Sequence, residues 1–256
     1  TAVLVGDFAT AAPFPHFAAA LRAEGWDAAE IDIRHFLSSP GSKWLNRIAD
    51  RLLPNAKPNA LAGAVEGEVA NTAADIVIFG KGMGATPESL VRLAERGCRT
   101  VCWYPDFHFD HPYVQEEALA AFDLFVTTKE FQLPYLRQLR GEKPTVLIEH
   151  GWCPGLHVRL SPPVEPAARP FDVMFVGNHS PYKQKWLEDL VQSLPGISLA
   201  VAGHRWSGCG AKFSDRVAVG GPLTGDSMSR AIGHARIAIA VHHGPGGRHG
   251  WQDDVS

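Results

Sequence analysis

The sequence predicts an α/β protein with parallel sheets, organised as two domains. Three observations carry this. Runs such as AVLVG (2–6), DIVIFG (75–80) and FDVMFVG (171–177) are apolar throughout rather than alternating, as in strands covered on both faces. Segments of roughly ten to fifteen residues with helical spacing lie between such runs, the βαβ pattern. A Pro-rich stretch, SPPVEPAARP (161–170), interrupts the alternation, which then restarts.

The elements follow in order. AVLVG ends in Gly and is followed by the helical PFPHFAAALRAEGW (13–26), then by the strand AEIDI (29–33). From Ser42 to Ala74 the pattern gives two helical segments broken by PNAKPN, and DIVIFG follows. TPESLVRLAERG (86–97) carries Pro in its first turn and Gly at its end, the usual helix punctuation. RTVCWY (99–104) is a strand, VQEEALAAF (114–122) a helix, DLFVTT (123–128) a strand, EFQLPYLRQL (130–139) a helix and PTVLIEHG (144–151) a strand. Beyond the Pro-rich segment come FDVMFVG, the helix QKWLEDLVQSL (184–194), ISLAVAG (197–203), DRVAVGG (215–221), a helix around GDSMSRAIGHA (225–235) and RIAIAVH (236–242). The predicted domains are 1–160 and 171–256, joined by a linker at 161–170.

Composition narrows the function. In 256 residues the formal net charge is −3, without the basic excess of a nucleic-acid binder. No apolar run approaches the roughly 20 residues that span a bilayer. Cys98, Cys102, Cys153 and Cys209 form no CxxC pair and read as reduced thiols. With no recognisable signal peptide, a cytoplasmic protein is expected.

Parallel α/β sheets bind ligands beyond the carboxyl ends of their strands, where loops and helix N-termini gather. That rule collects GDFAT, GKGMGAT, PDFHFDHP and EHGW on one edge of the first domain, and GNHSPYK and GHRWSG on the corresponding edge of the second. GKGMGAT (80–86) is neither a P-loop nor GxGxxG, and GHRWSGCGAK (203–212) fails the same tests. In FVGNHSPYKQKW, Gly177 ends a strand and a helix follows with Lys183 and Lys185 at hand, which suits a diphosphate.

WYPDFHFDHP is the richest stretch, with Asp106, His108, Asp110 and His111. If it is extended, the D-x-H-x-D alternation sets the first three on one face and turns His111 away. Three readings stay open: an acid/base or substrate-binding site, a metal site, or a polar loop bonded to its own turns. His150, in EHGWCPGLH, ends a strand beside the linker, and the tail HHGPGGRHGWQDD reads as a glycine-rich loop or a His-rich metal tract.

In order and spacing, LRAEGWDAAEID, ADIVIFGKG, TPESLVRLAERGCRTVCWYPDFHFDHP, FDLFVTTKEFQLPYLRQL, VLIEHGWCPGLH and FDVMFVGNHSPYKQKWLEDL resemble glycosyltransferases of GT-B architecture. The likeness is strongest to the spore-maturation CgeB-like branch of the family-1-type enzymes, and it covers nearly the whole chain. It implies two Rossmann-like domains facing a cleft and a hexosyltransferase-type reaction, from a nucleotide-diphosphate sugar to an unidentified acceptor (glycan, protein or small molecule). No cofactor is implied and no metal is expected.

Carried over by position, the resemblance assigns catalysis to Asp106, His108 and Asp110 and substrate binding to Lys81, His111 and His150. It assigns the nucleotide-sugar to Gly177, Asn178, Lys183, Gly203, His204 and His242. For an inverting reaction Asp106 or His108 would be the base; for a retaining one they would only position the acceptor. In the family, a DDVS-like run leads into a segment whose glutamate grips the donor; this sequence ends at that run, so the second domain is expected to be incomplete. The alternatives are a noncatalytic two-lobed protein binding a glycan or nucleotide, and a metal-dependent hydrolase built on the His/Asp cluster.

Overall fold

The computed structural model describes residues 1–9, 12–37, 51–53, 55–151, 164–207 and 217–241. They fall into two compact units that part between His150 and Gly151, each with its own parallel sheet.

In the first unit, β1 (Ala2–Gly6), β2 (Ala28–Asp32), β3 (Ile76–Gly80), β4 (Arg99–Tyr104), β5 (Leu124–Thr127) and β6 (Thr145–Leu147) pair in the order β2-β1-β3-β4-β5-β6. Every pairing is parallel. The helices bounded within the described residues are α1 (Phe14–Ala23), α2 (Arg34–Leu37), α3 (Ala56–Thr72), α4 (Pro87–Glu95), α5 (Glu116–Ala121) and α6 (Leu133–Arg140). Successive residues of a strand serve opposite faces. Val3, Val5, Val77 and Phe79 enter one core with Leu61, Val65, Leu90 and Phe122, while Leu4 packs on the other face with Phe14 and Ala18. This two-sided burial is why the strands are continuously apolar.

The winding reverses between β1 and β3, the place where doubly wound sheets usually open a crevice. Here the gap is filled from within. A Cβ on Gly6 would stand 2.3 Å from the Phe14 ring, and one on Gly80 would stand 2.6 Å from it. The two strand-end glycines therefore make room for Phe14, whose burial contributes about 2 kcal/mol, and the polar groups gather one strand further along, beyond β3 and β4.

PNAKPN holds the expected break: helical residues end at Leu52 and α3 starts at Ala56, inside the motif. Pro58 sits in the first turn, where its missing N–H has no helical partner to lose. The α4 punctuation is as expected: Ser89 N–H donates to Thr86 Oγ1 at 3.2 Å, and Gly97 follows the helix at φ +76°.

In the second unit, β7 (Phe171–Val176), β8 (Leu199–Ala202), β9 (Val217–Gly220) and β10 (Ala235–Ile239) pair in parallel in the order β10-β7-β8-β9. Helices α7 (Pro181–Ser193) and α8 (Gly225–Gly233) accompany them. Phe175, Leu187, Leu199, Val201 and Trp206 form one core, and Met174, Ala200, Ala202 and Ala235 the other. Of the Pro-rich segment, residues 161–163 lie outside the described residues. Pro166–Ala168 makes a 3-10 turn, after which Arg169 donates to the Ala235 carbonyl at 2.9 Å. Among the described residues no helix is long and apolar enough to cross a membrane.

Candidate functional site

In the first unit the polar cluster is built where β3 and β4 end side by side, with Gly80 in register with Trp103. Lys81 follows β3 directly and adopts φ +60°, its N–H donating to the Trp103 carbonyl at 2.8 Å. A left-handed conformation is uncommon for a residue with a Cβ and is held here by the surrounding structure. It carries the ammonium over the end of β4, where Nζ lies 2.6 Å from Asp106 Oδ2.

The loop after β4 explains its own composition. Phe107 and Phe109 are buried, Phe109 against Tyr104 at 4.6 Å between ring centroids, so the intervening polar residues are turned outward. That much of the D-x-H-x-D expectation holds. The outward-pointing His111 does not. The chain bends after Phe109, with His111 N–H donating back to the Phe109 carbonyl at 2.8 Å, so the segment is not extended there. The bend returns the imidazole to within 2.8 Å of Asp106 Oδ2 and stacks it on His108 at 4.9 Å and 27°. The His111 Nε2–Asp106 Oδ2 approach is close but off the ideal hydrogen-bond line. Asp110 is exposed, and its backbone N–H donates to His108 Nδ1 at 3.2 Å.

Burial alone would raise the Asp106 pKa. His111 and Lys81, both bonded to Oδ2, overcome it and hold the carboxyl down at about 2, so Asp106 is ionised throughout the neutral range. His150 is exposed at the end of this unit. Cys98 and Cys102 are buried free thiols whose pKa values burial pushes up, which leaves neither as a nucleophile; Cys153 and Cys209 lie outside the described residues. Among the described residues, no three His, Cys, Asp or Glu side chains converge to hold a metal ion.

In the second unit the expected nucleotide residues gather where β7 and β8 end. Gly203 has φ +150°, and a Cβ there would stand 2.0 Å from the Gly177 carbonyl oxygen. That same oxygen accepts from Trp206 Nε1 at 2.7 Å. Asn178 Oδ1 accepts from the His204 N–H at 3.3 Å, and the His204 carbonyl accepts from the His179 N–H at 3.0 Å. Ser180 caps α7 by accepting from the Lys183 N–H at 3.3 Å. Lys183 is 9% exposed in the helix's first turn, its Nζ 5.9 Å from the Phe175 ring centroid, and it forms no ion pair among the described residues. Burial lowers its pKa. Lys185, the other lysine of the motif, is spent on an ion pair with Asp189. His242 lies outside the described residues.

Gln132, Tyr104, Thr127 and Thr128, which bind the Asp106 loop, were not singled out in the sequence, nor was Trp206. Gln132 could have been noticed as a lone amide just past the carboxyl end of a predicted strand.

No protein-family model matches the chain, and no curated protein matches it. Solved structures do. A candidate UDP-N-acetylglucosamine 2-epimerase from Listeria monocytogenes superposes with TM-score 0.54 at 10% identity, over 93% of this chain and 73% of its own. The apo form of the lipopolysaccharide outer core galactosyltransferase WaaB superposes with TM-score 0.54 at 15% identity, over 90% of this chain and 70% of its own. At such identities the likeness shows the fold. It is the parallel α/β fold of the GT-B enzymes.

Proposed function

We propose that the protein is a glycosyltransferase that moves a sugar, a hexose by the resemblance, from a nucleotide-diphosphate sugar to an acceptor hydroxyl. Within that class the order of its motifs favours the CgeB-like branch, with a cytoplasmic location and no metal requirement. The observation that carries the reading is Asp106, kept ionised between Lys81 and His111 at the carboxyl edge of a parallel sheet. The fold shared with a galactosyltransferase supports it.

In this reading the acceptor oxygen attacks the anomeric carbon, the bond from that carbon to the diphosphate oxygen breaks, and the acceptor proton passes to a base. His111 suits that role better than His108. Its Nε2 faces Asp106, which keeps the neutral ring's proton on that nitrogen and leaves Nδ1 to accept one, as in other His–carboxylate pairs. His108 Nδ1 already accepts from the Asp110 N–H, so its neutral ring carries the proton on Nε2 and donates there. Lys81 neutralises Asp106 and fixes its direction. In the second unit the α7 N-terminus and the Lys183 ammonium, without an ion-pair partner among the described residues, suit the departing diphosphate.

A second reading, epimerisation of a nucleotide sugar, is favoured by the equal likeness to the Listeria enzyme. It would consume no acceptor. A thermal-shift screen against UDP, GDP, dTDP, ADP and CMP, with and without manganese, tests the common ground. Stabilisation by one nucleoside diphosphate without manganese supports the proposal, and no response to any of them counts against it.

A further inference from the structure

Four consecutive carbonyls of the site loop are each held by a buried or half-buried side chain. Pro105 O accepts from Thr128 Oγ1 at 3.2 Å. Gln132 Nε2 donates to Asp106 O at 2.8 Å and to Phe107 O at 3.1 Å. Tyr104 Oη donates to His108 O at 2.7 Å. Behind this clamp, Thr127 Oγ1 donates to Gln132 Oε1 at 2.6 Å and accepts from the Lys129 N–H at 3.0 Å. Gln132 and Thr127 are both 0% exposed.

We infer that Gln132 is a positioning residue: it fixes the backbone under Asp106 so that Asp106, His108 and His111 keep their mutual geometry, and Thr127 sets which way its amide faces. The inference rests on the functional reading given above. Surface loops ordinarily leave their carbonyls to water, at no cost. Burying a carboxamide instead is expensive unless every polar atom is matched, and the net return on each matched bond is only about 1 kcal/mol. The clamp therefore contributes little stability for what it requires. What it supplies is direction. Both bonds that Gln132 Nε2 donates end on the loop that carries the site, and its acceptor oxygen is taken by the Thr127 hydroxyl, which orients the amide. With that hydroxyl donating to Oε1, the two N–H bonds face the loop; a flipped amide would set its oxygen against two carbonyls.

The variants are Gln132→Met, of similar length without polar atoms, Thr127→Val, which loses the orienting hydroxyl, and Thr127→Ser, which keeps it. Each is first checked for a cooperative melt. Release of nucleoside diphosphate is then followed with UDP-glucose, UDP-galactose, UDP-N-acetylglucosamine, GDP-mannose and dTDP-glucose, water serving as acceptor, beside Asp106→Asn. Gln132→Met is expected to lower kcat about 10- to 100-fold, the scale of a small misplacement, with KM for the donor unchanged. Thr127→Val should fall in the same direction and Thr127→Ser should recover most of that loss. Wild-type kcat in folded Gln132→Met, while Asp106→Asn is impaired, overturns the positioning role alone. Wild-type kcat in Asp106→Asn overturns the functional reading instead. A readout without turnover separates the two: the nuclear Overhauser contact between the His108 and His111 rings should vanish in Gln132→Met and Thr127→Val and persist in Thr127→Ser. If it persists in a folded Gln132→Met, the clamp does not hold the loop, whatever reaction the protein performs.

Discussion

Lys81 Nζ stands 2.6 Å from Asp106 Oδ2, an ion pair between the ends of two adjacent parallel strands. The pair depends on a lysine in a left-handed backbone conformation, which costs roughly 1 kcal/mol relative to an ordinary strand exit. Glycine would remove that cost, and glycines stand in the same turn at Gly82 and Gly84, with φ +65° and +76°. Strain kept at a residue whose side chain meets a half-buried carboxylate points to a use for the ammonium.

Replacing Lys81 should therefore cost function more than stability. In Lys81→Met the Asp106 carboxyl keeps His111 but loses its lysine, and burial then drives its pKa upward. The expected outcome is a fall in donor turnover of about tenfold or more with a melting temperature near that of the wild type. Turnover and melting curves measured on the same preparation check this.

Asp106 also gives acid unfolding a definite sign. Its carboxyl is held at about 2 against an ordinary 3.8, so the native state binds fewer protons than the unfolded chain between those values. The stabilisation, about 2 kcal/mol, is fully present above pH 4 and is lost as the pH falls toward 2. Stability of Asp106→Asn measured by denaturant titration from pH 5 to 2 should lack this component and show a shallower dependence over the same range.

Gly203 tests the second unit. With φ +150° and a virtual Cβ 2.0 Å from a backbone oxygen, Gly203→Ala must push β8 away from the end of β7. A loss of about 3 kcal/mol is expected, together with the Trp206 bond to Gly177. Chemical denaturation followed by tryptophan fluorescence reads both.

Lys183 makes the opposite trade. A desolvated ammonium with no ion-pair partner among the described residues destabilises the fold, so Lys183→Met should melt a few degrees higher. It should also bind nucleoside diphosphate more weakly, measured by calorimetry. Weaker binding together with greater stability is what a residue retained for its ligand produces.

Much of the fold was legible because strand burial writes itself directly into the chain. AVLVG is β1 without adjustment, and TPESLVRLAERG carries both ends of α4. PNAKPN was legible as a break between helical segments, and its second proline falls in the first turn of α3, which tolerates a missing N–H. The gathering of Lys81, Asp106, His108 and His111 beyond β3 and β4 was legible as a place, since strand ends gather loops. Its geometry was not. His111 returns to Asp106 through a bend after Phe109, and a period-two pattern cannot foresee a bend. The strand-end rule set GDFAT and GKGMGAT on the ligand edge, yet Gly6 and Gly80 accommodate Phe14, a contact between distant parts of the chain. Gln132 could be noticed by its place past a strand end, but its role could not, because its partners lie 25 and 26 residues away.

The most direct test of the central claim is release of nucleoside diphosphate from a panel of nucleotide sugars by wild-type protein and by Asp106→Asn. Wild-type protein should consume one class of donor without added metal. Asp106→Asn should lose about tenfold or more of that rate while binding the nucleoside diphosphate as tightly as before. Equal turnover by the two proteins, or no consumption of any donor, would contradict that claim.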